Sequence, residues 1–84
     1  MVMEAQDFKI ADIYVPVKLK KAFEVEGVAK FTDLLLAGEV LAPVLVRKDA
    51  KKGHVLVKGV HRLEACRELG EETIKGFLVQ ARLQ

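Results

Sequence analysis

The chain reads as an α+β domain: a small mixed β-sheet with helices packed on it. Apolar residues at helical spacing between residues 26 and 37 and a pair of β-branched runs around a polar turn predict it, together with a third apolar run near the end. The 84 residues suffice for one domain, 1–84, burying about 60 to 65% of the surface its unfolded chain exposes. Hydrophobic residues at 51% and charged residues at 31% are an ordinary globular balance.

Gln6 to Val15 alternates loosely, with Phe8, Ile10 and Ile13 between Asp7, Lys9 and Asp12, which predicts a short edge strand ended by Pro16. Val17 to Val25 has no clear period and holds Lys18, Lys20 and Lys21, which suits a basic loop or one helical turn. From Glu26 to Ala37, Val28, Phe31, Leu34 and Leu35 share one helix face, and Gly38 is a natural stop. A buried strand follows Pro43 and runs to Arg47, a polar turn covers residues 48–53, and His54 to Lys58 returns as the hairpin partner. A second helix is expected from about Val60 to Leu69, with Leu63, Cys66 and Leu69 in line and Gly70 closing it. Ile74, Phe77 and Leu83 mark a final strand between Glu72 and Leu83.

Lys58-Gly59-Val60-His61-Arg62 is where chemistry concentrates, because a strand there runs through a glycine straight into a helix. The first helical turn has amides without intrahelical partners and the positive end of the macrodipole, and glycine lets an oxyanion approach the backbone. His61 and Arg62 add donors suited to phosphate, Arg62 through a planar fork. Charge is sorted in the same sense. Arg47, Lys48, Lys51, Lys52, Lys58 and Arg62 outnumber Asp49 up to the helix start, whereas Glu64, Glu68, Glu71 and Glu72 outnumber Arg67 beyond it. The net charge of +2 and pI near 8.8 are too weak to mark a nucleic-acid protein.

Single Cys66 excludes an internal disulfide and suits a reducing cytoplasm. No apolar run approaches a membrane span, the Met1–Glu4 start lacks a secretory pattern, and no Cys/His cluster suggests a protein metal site. His54 reads as a strand residue and Cys66 as a small buried hydrophobe.

Gly38-Glu39-Val40-Leu41-Ala42-Pro43-Val44-Leu45-Val46-Arg47, then Gly59-Val60-His61-Arg62, then Leu69-Gly70-Glu71-Glu72-Thr73-Ile74 resemble, in order and spacing, the motifs of the ParB/sulfiredoxin superfamily across Phe8 to Leu83. The resemblance implies a nucleotide site: sulfiredoxins bind ATP there, partition proteins CTP, and a free-serine kinase branch ADP or ATP, with Mg²⁺ carried by the nucleotide. Carried over by position, Gly59 gives close backbone approach, His61 a phosphate donor and Arg62 the main charge partner, with Lys58 and Lys30 adding charge. Val60 stands where sulfiredoxins have their cysteine, so sulfinic acid repair is not expected. Lys58 stands where the kinase branch has an acid. Partition proteins continue into a helix-turn-helix region that is not found up to Gln84, so sequence-specific DNA reading is not expected.

The resulting expectation is a domain holding a nucleoside di- or triphosphate at the Gly59–Arg62 turn. Two alternatives stay open. One is DNA-backbone contact, or a ParB-like nuclease or partition-associated protein, through Arg47, Lys48, Lys51 and Lys52. The other is a catalytically inactive regulatory or interaction module. Whether the chain hydrolyses a nucleotide, transfers a phosphoryl group or cuts nucleic acid is left open, as is a weak homodimer.

Overall fold

The computed structural model describes residues 4–80. Five strands form one mixed sheet: β1 Gln6–Lys9, β2 Ile13–Tyr14, β3 Val44–Asp49, β4 Gly53–Lys58 and β5 Thr73–Val79. Their spatial order is β1-β5-β3-β4-β2. β3 pairs antiparallel with β4 and parallel with β5, β1 is antiparallel to β5, and β2 is parallel to β4. Three helices accompany the sheet: α1 Val17–Lys21, α2 Val25–Leu36 and α3 Val60–Glu68. The α+β class and the hairpin are as expected from the sequence.

The stretch expected to be one edge strand from Gln6 to Val15 is instead two strands on opposite edges, parted by a 3₁₀ turn at Ile10–Asp12. In a flat sheet those edges would lie about 19 Å apart, four spacings of about 4.8 Å. The chain from Lys9 to Ile13 reaches at most about 14 Å. The sheet must therefore curl, and the Phe8 and His54 rings meet across the curl at 5.0 Å, edge to face.

α3 lies along the concave side. Val60, Leu63 and Cys66 join Phe8, Val44, Val46, Leu56 and Ile74 in one core, with Leu19 and Leu35 packed against it. Each such aliphatic side chain contributes about 1.5 to 3 kcal/mol by leaving water. β3 is central because Val44 and Val46, two residues apart, both face this core while Leu45 and Arg47 face away.

Other boundaries moved for local reasons. Val17 to Val25 contains the short helix α1, started by Pro16, whose carbonyl accepts from the Leu19 and Lys20 amides. Pro43 precedes β3 as expected, while Val40 before it is 94% exposed. Both long helices end in the same six-residue clasp. Glu39 N–H donates to Leu34 and Gly38 N–H to Leu35, and Glu71 N–H donates to Cys66 and Gly70 N–H to Arg67. Leu69, expected in line with Leu63 and Cys66, sits at the α3 C-terminus and is exposed. β5 ends at Val79, and the expected Leu83 lies outside the described residues.

Candidate functional site

Gly59 is the residue before α3 and has φ +107°, left-handed backbone that L side chains rarely adopt. Close packing demands glycine as well: a Cβ here would lie 2.6 Å from Val44 Cγ1. The carbonyl of Gly59 accepts from the Leu63 amide at 2.9 Å, which starts the helix directly after the strand. No side chain caps α3, so its first amides are left for solvent or an anion.

Arg62 reaches back over the same glycine, its Nη2 3.2 Å from where that Cβ would be. Its Nη1 donates to the carbonyls of Ala42 at 2.8 Å and Pro43 at 3.2 Å. Both acceptors are neutral, so among the described residues the guanidinium is oriented without being neutralised, and three of its five N–H donors have no partner there. An ion pair with Glu64 would have cancelled the charge, but Glu64 pairs with Arg67 at 3.6 Å.

His61 occupies a more structural position than its motif suggested. Its Nε2 accepts from the Glu24 backbone amide at 2.9 Å, and its ring stacks on Phe23 at 5.7 Å with a 10° interplanar angle. Gly27 in the first turn of α2 lies so close that a Cβ there would sit 2.7 Å from His61 Cδ2. Val60 turns its side chain into the core and offers the site only its amide. Lys58 is exposed at the end of β4, and Lys30 is exposed on α2. Thr32 on the same helix bonds back to the Val28 carbonyl at 2.9 Å.

The basic cluster read from the sequence is dispersed in space. Lys51 and Lys52 sit at the hairpin tip, beyond Gly53, which itself lies about 17 Å along β4 from Lys58 at about 3.3 Å per residue. Arg47 pairs with Asp49 at 3.4 Å, and Lys52 Nζ lies 3.8 Å above the Tyr14 ring. Asp49 Oδ1 accepts from the amides of Lys51 and Lys52 at 2.8 and 3.0 Å, so those bonds, with Arg47 adding less, hold its carboxyl below its ordinary value. Cys66 is buried, and burial, helped by the charge of Glu71, pushes its thiol up and away from reactivity.

Two of the cavities lined by α3 residues include a residue of its first turn. A groove of about 470 Å³ is lined by Val60, Phe23, Ile13 and Val15 together with Lys20, Glu64 and Arg67. A smaller pocket of about 160 Å³ holds Arg62 and Cys66. Among the described residues no group of three His, Cys, Asp or Glu side chains could hold a metal ion, and no helix is long and apolar enough to cross a membrane.

The profile of the ParB N-terminal domain family matches residues 2–83, and the chain belongs to that family. Sulfiredoxin from Arabidopsis thaliana superposes with a TM-score of 0.77 at 19% identity, covering 93% of this chain and 86% of that one. The chromosome-partitioning protein ParB from Caulobacter crescentus, truncated at its C-terminus and complexed with CTP-gamma-S, gives 0.72 at 20%, covering 96% and 46%. The same truncated protein complexed to the centromeric parS site gives 0.63 at 19%, covering 94% and 40%. The chain thus spans less than half the length of these two ParB chains. Comparison with curated protein sequences gave no match.

The sequence pointed to Gly59 and Arg62 through one short motif, whereas Phe23, Glu24 and Gly27 carried no signal in isolation. The one hint was Gly27 itself, a poor helix former placed in the first turn of an otherwise regular helix.

Proposed function

We propose that this chain binds the phosphates of a nucleoside di- or triphosphate at the Gly59–Arg62 turn. The observation that carries the reading is the un-neutralised Arg62 guanidinium held over Gly59, at the start of a helix with no side-chain cap. A phosphate there would meet the first α3 amides and the spare donors of Arg62, with Lys58 adding charge. The rest of the ligand needs space beside the turn. The groove lined by Val60 falls in the usual size range of small-molecule sites, about 300 to 1,000 Å³, and the Arg62 pocket falls below it. Membership of the ParB N-terminal domain family, and CTP-gamma-S in a structural neighbour, make CTP with Mg²⁺ the first ligand to try, ahead of ATP and ADP.

Binding without group transfer is the function proposed. The position after Gly59 holds a buried valine, which supplies no nucleophile, and Cys66 faces the core. Calorimetric titration of the folded chain with CTP, ATP and ADP, each with Mg²⁺, tests the reading. Binding at or below millimolar concentration, lost in Arg62→Ala but partly kept in Arg62→Lys, supports it. Equal binding by wild type and Arg62→Ala, with both folded by circular dichroism, contradicts it.

DNA-backbone contact is a second reading, favoured by the neighbour complexed to parS. It rests here on Lys48 near the end of β3 and on Lys51 and Lys52 at the hairpin tip, with Arg47 partly engaged by Asp49. Retention on DNA that falls steeply with salt, and that drops when the three lysines become glutamine, supports it. No retention at low salt removes it.

A further inference from the structure

An imidazole that accepts a hydrogen bond at one nitrogen and remains neutral must carry its proton on the other. His61 accepts the Glu24 amide at Nε2. Two further contacts hold the ring in that pose: Phe23 stacked alongside it, and Gly27, where even a methyl group would collide with Cδ2. Glycine at position 27 weakens α2 relative to alanine, a cost with an evident purpose if the ring must approach this closely. Glu24 precedes α2 and its own side chain makes no capping bond, so this amide is one of the points at which α2 is attached to α3.

We infer that His61 is a positioning residue: the Glu24 amide fixes it in the Nδ1–H tautomer, which leaves Nδ1–H as the one ring donor a ligand could draw on while Nε2 latches α2 to the start of α3. The donor half of this statement rests on the nucleotide reading above. The latch half does not. One ring thereby joins the ligand turn to the start of α2, so a phosphate that draws on Nδ1–H also strengthens Nε2 as the acceptor for Glu24.

The test uses the whole chain, free and with CTP and Mg²⁺. In the free wild type, long-range ¹H–¹⁵N spectra should show His61 Nδ1 protonated and Nε2 bare; the opposite tautomer overturns the latch without any ligand or variant. Two substitutions then separate the halves, because a glutamine carbonyl can stand in for Nε2 and an asparagine amide for Nδ1. His61→Asn should speed exchange of the Glu24 amide about three- to tenfold, and His61→Gln should leave it near wild type. Conversely, His61→Gln should weaken CTP binding more than His61→Asn. Equal Glu24 exchange in all three proteins overturns the latch even if CTP binds. If the tautomer and exchange results hold while CTP, ATP and ADP all fail to bind, the donor role and the nucleotide reading fall and the latch stands.

Discussion

Alanine at position 59 would force a left-handed backbone on an L side chain and drive a methyl group to 2.6 Å from Val44 Cγ1, a fully buried strand residue that cannot move aside. The expected loss is about 2 to 4 kcal/mol, combining backbone strain with overpacking. Gly70→Ala is the control. Its φ is also positive, +77°, but nothing lies within 4 Å, so strain alone should cost about 1 kcal/mol. Urea denaturation of both variants checks the difference. Leu63 is 0% exposed at the centre of the core, and Leu63→Ala should cost about 2 to 5 kcal/mol. Cys66, buried and with its thiol held protonated, should react with iodoacetamide far more slowly in the native chain than in urea. Native alkylation as fast as that of the unfolded chain would contradict the packing of α3. At this scale the sequence was most legible where a residue type is demanded by its immediate neighbours, as with Gly59 and Arg62. His61 was harder to read because its partners Phe23, Glu24 and Gly27 lie more than thirty positions earlier and meet it only through helix packing.

The elements divide in the same way. α2, α3 and the β3–β4 hairpin announced themselves through apolar period, terminal glycines and a polar turn. The opening stretch did not, because its β-favourable residues run on through the turn. Its one signal was a slip in alternation: Phe8 and Ile10 are two apart, Ile13 comes three later, and Val15 resumes the step of two, all four buried. The hairpin turn supplies a pH prediction. Asp49 has a lowered carboxyl pKa in the folded chain because two backbone amides and then Arg47 favour its charged form. Its contribution is therefore fully present above the pKa of the unfolded chain and is lost as pH falls through the folded value. Thermal stability should begin to fall below about pH 4, and Asp49→Asn should make that decline shallower. Parallel acid limbs for the two proteins would show that the turn does not depend on this carboxylate.

For the whole molecule, curling the sheet places α3 in its concave face, with Gly59 at the β4–α3 junction and Arg62 reaching back to the segment that enters β3. Two separated parts of the chain thereby converge on one turn: in residues 42–44, Ala42 and Pro43 orient Arg62 and Val44 enforces glycine at 59, and far earlier Glu24 holds His61. The sequence sorted positive charge toward the helix start, but strand length carries Lys51 and Lys52 away from the turn and leaves, of that basic run, Arg62 in it and Lys58 directly before it. Backbone amide spectra of the ¹⁵N-labelled chain during titration with CTP and Mg²⁺ test this arrangement most directly. The account predicts saturable shifts that are largest at Val60, His61 and Arg62, smaller along the groove at Phe23 and Glu64, and absent at the hairpin tip. Unchanged amides at the start of α3 with CTP, ATP and ADP alike, at millimolar concentration, would contradict it.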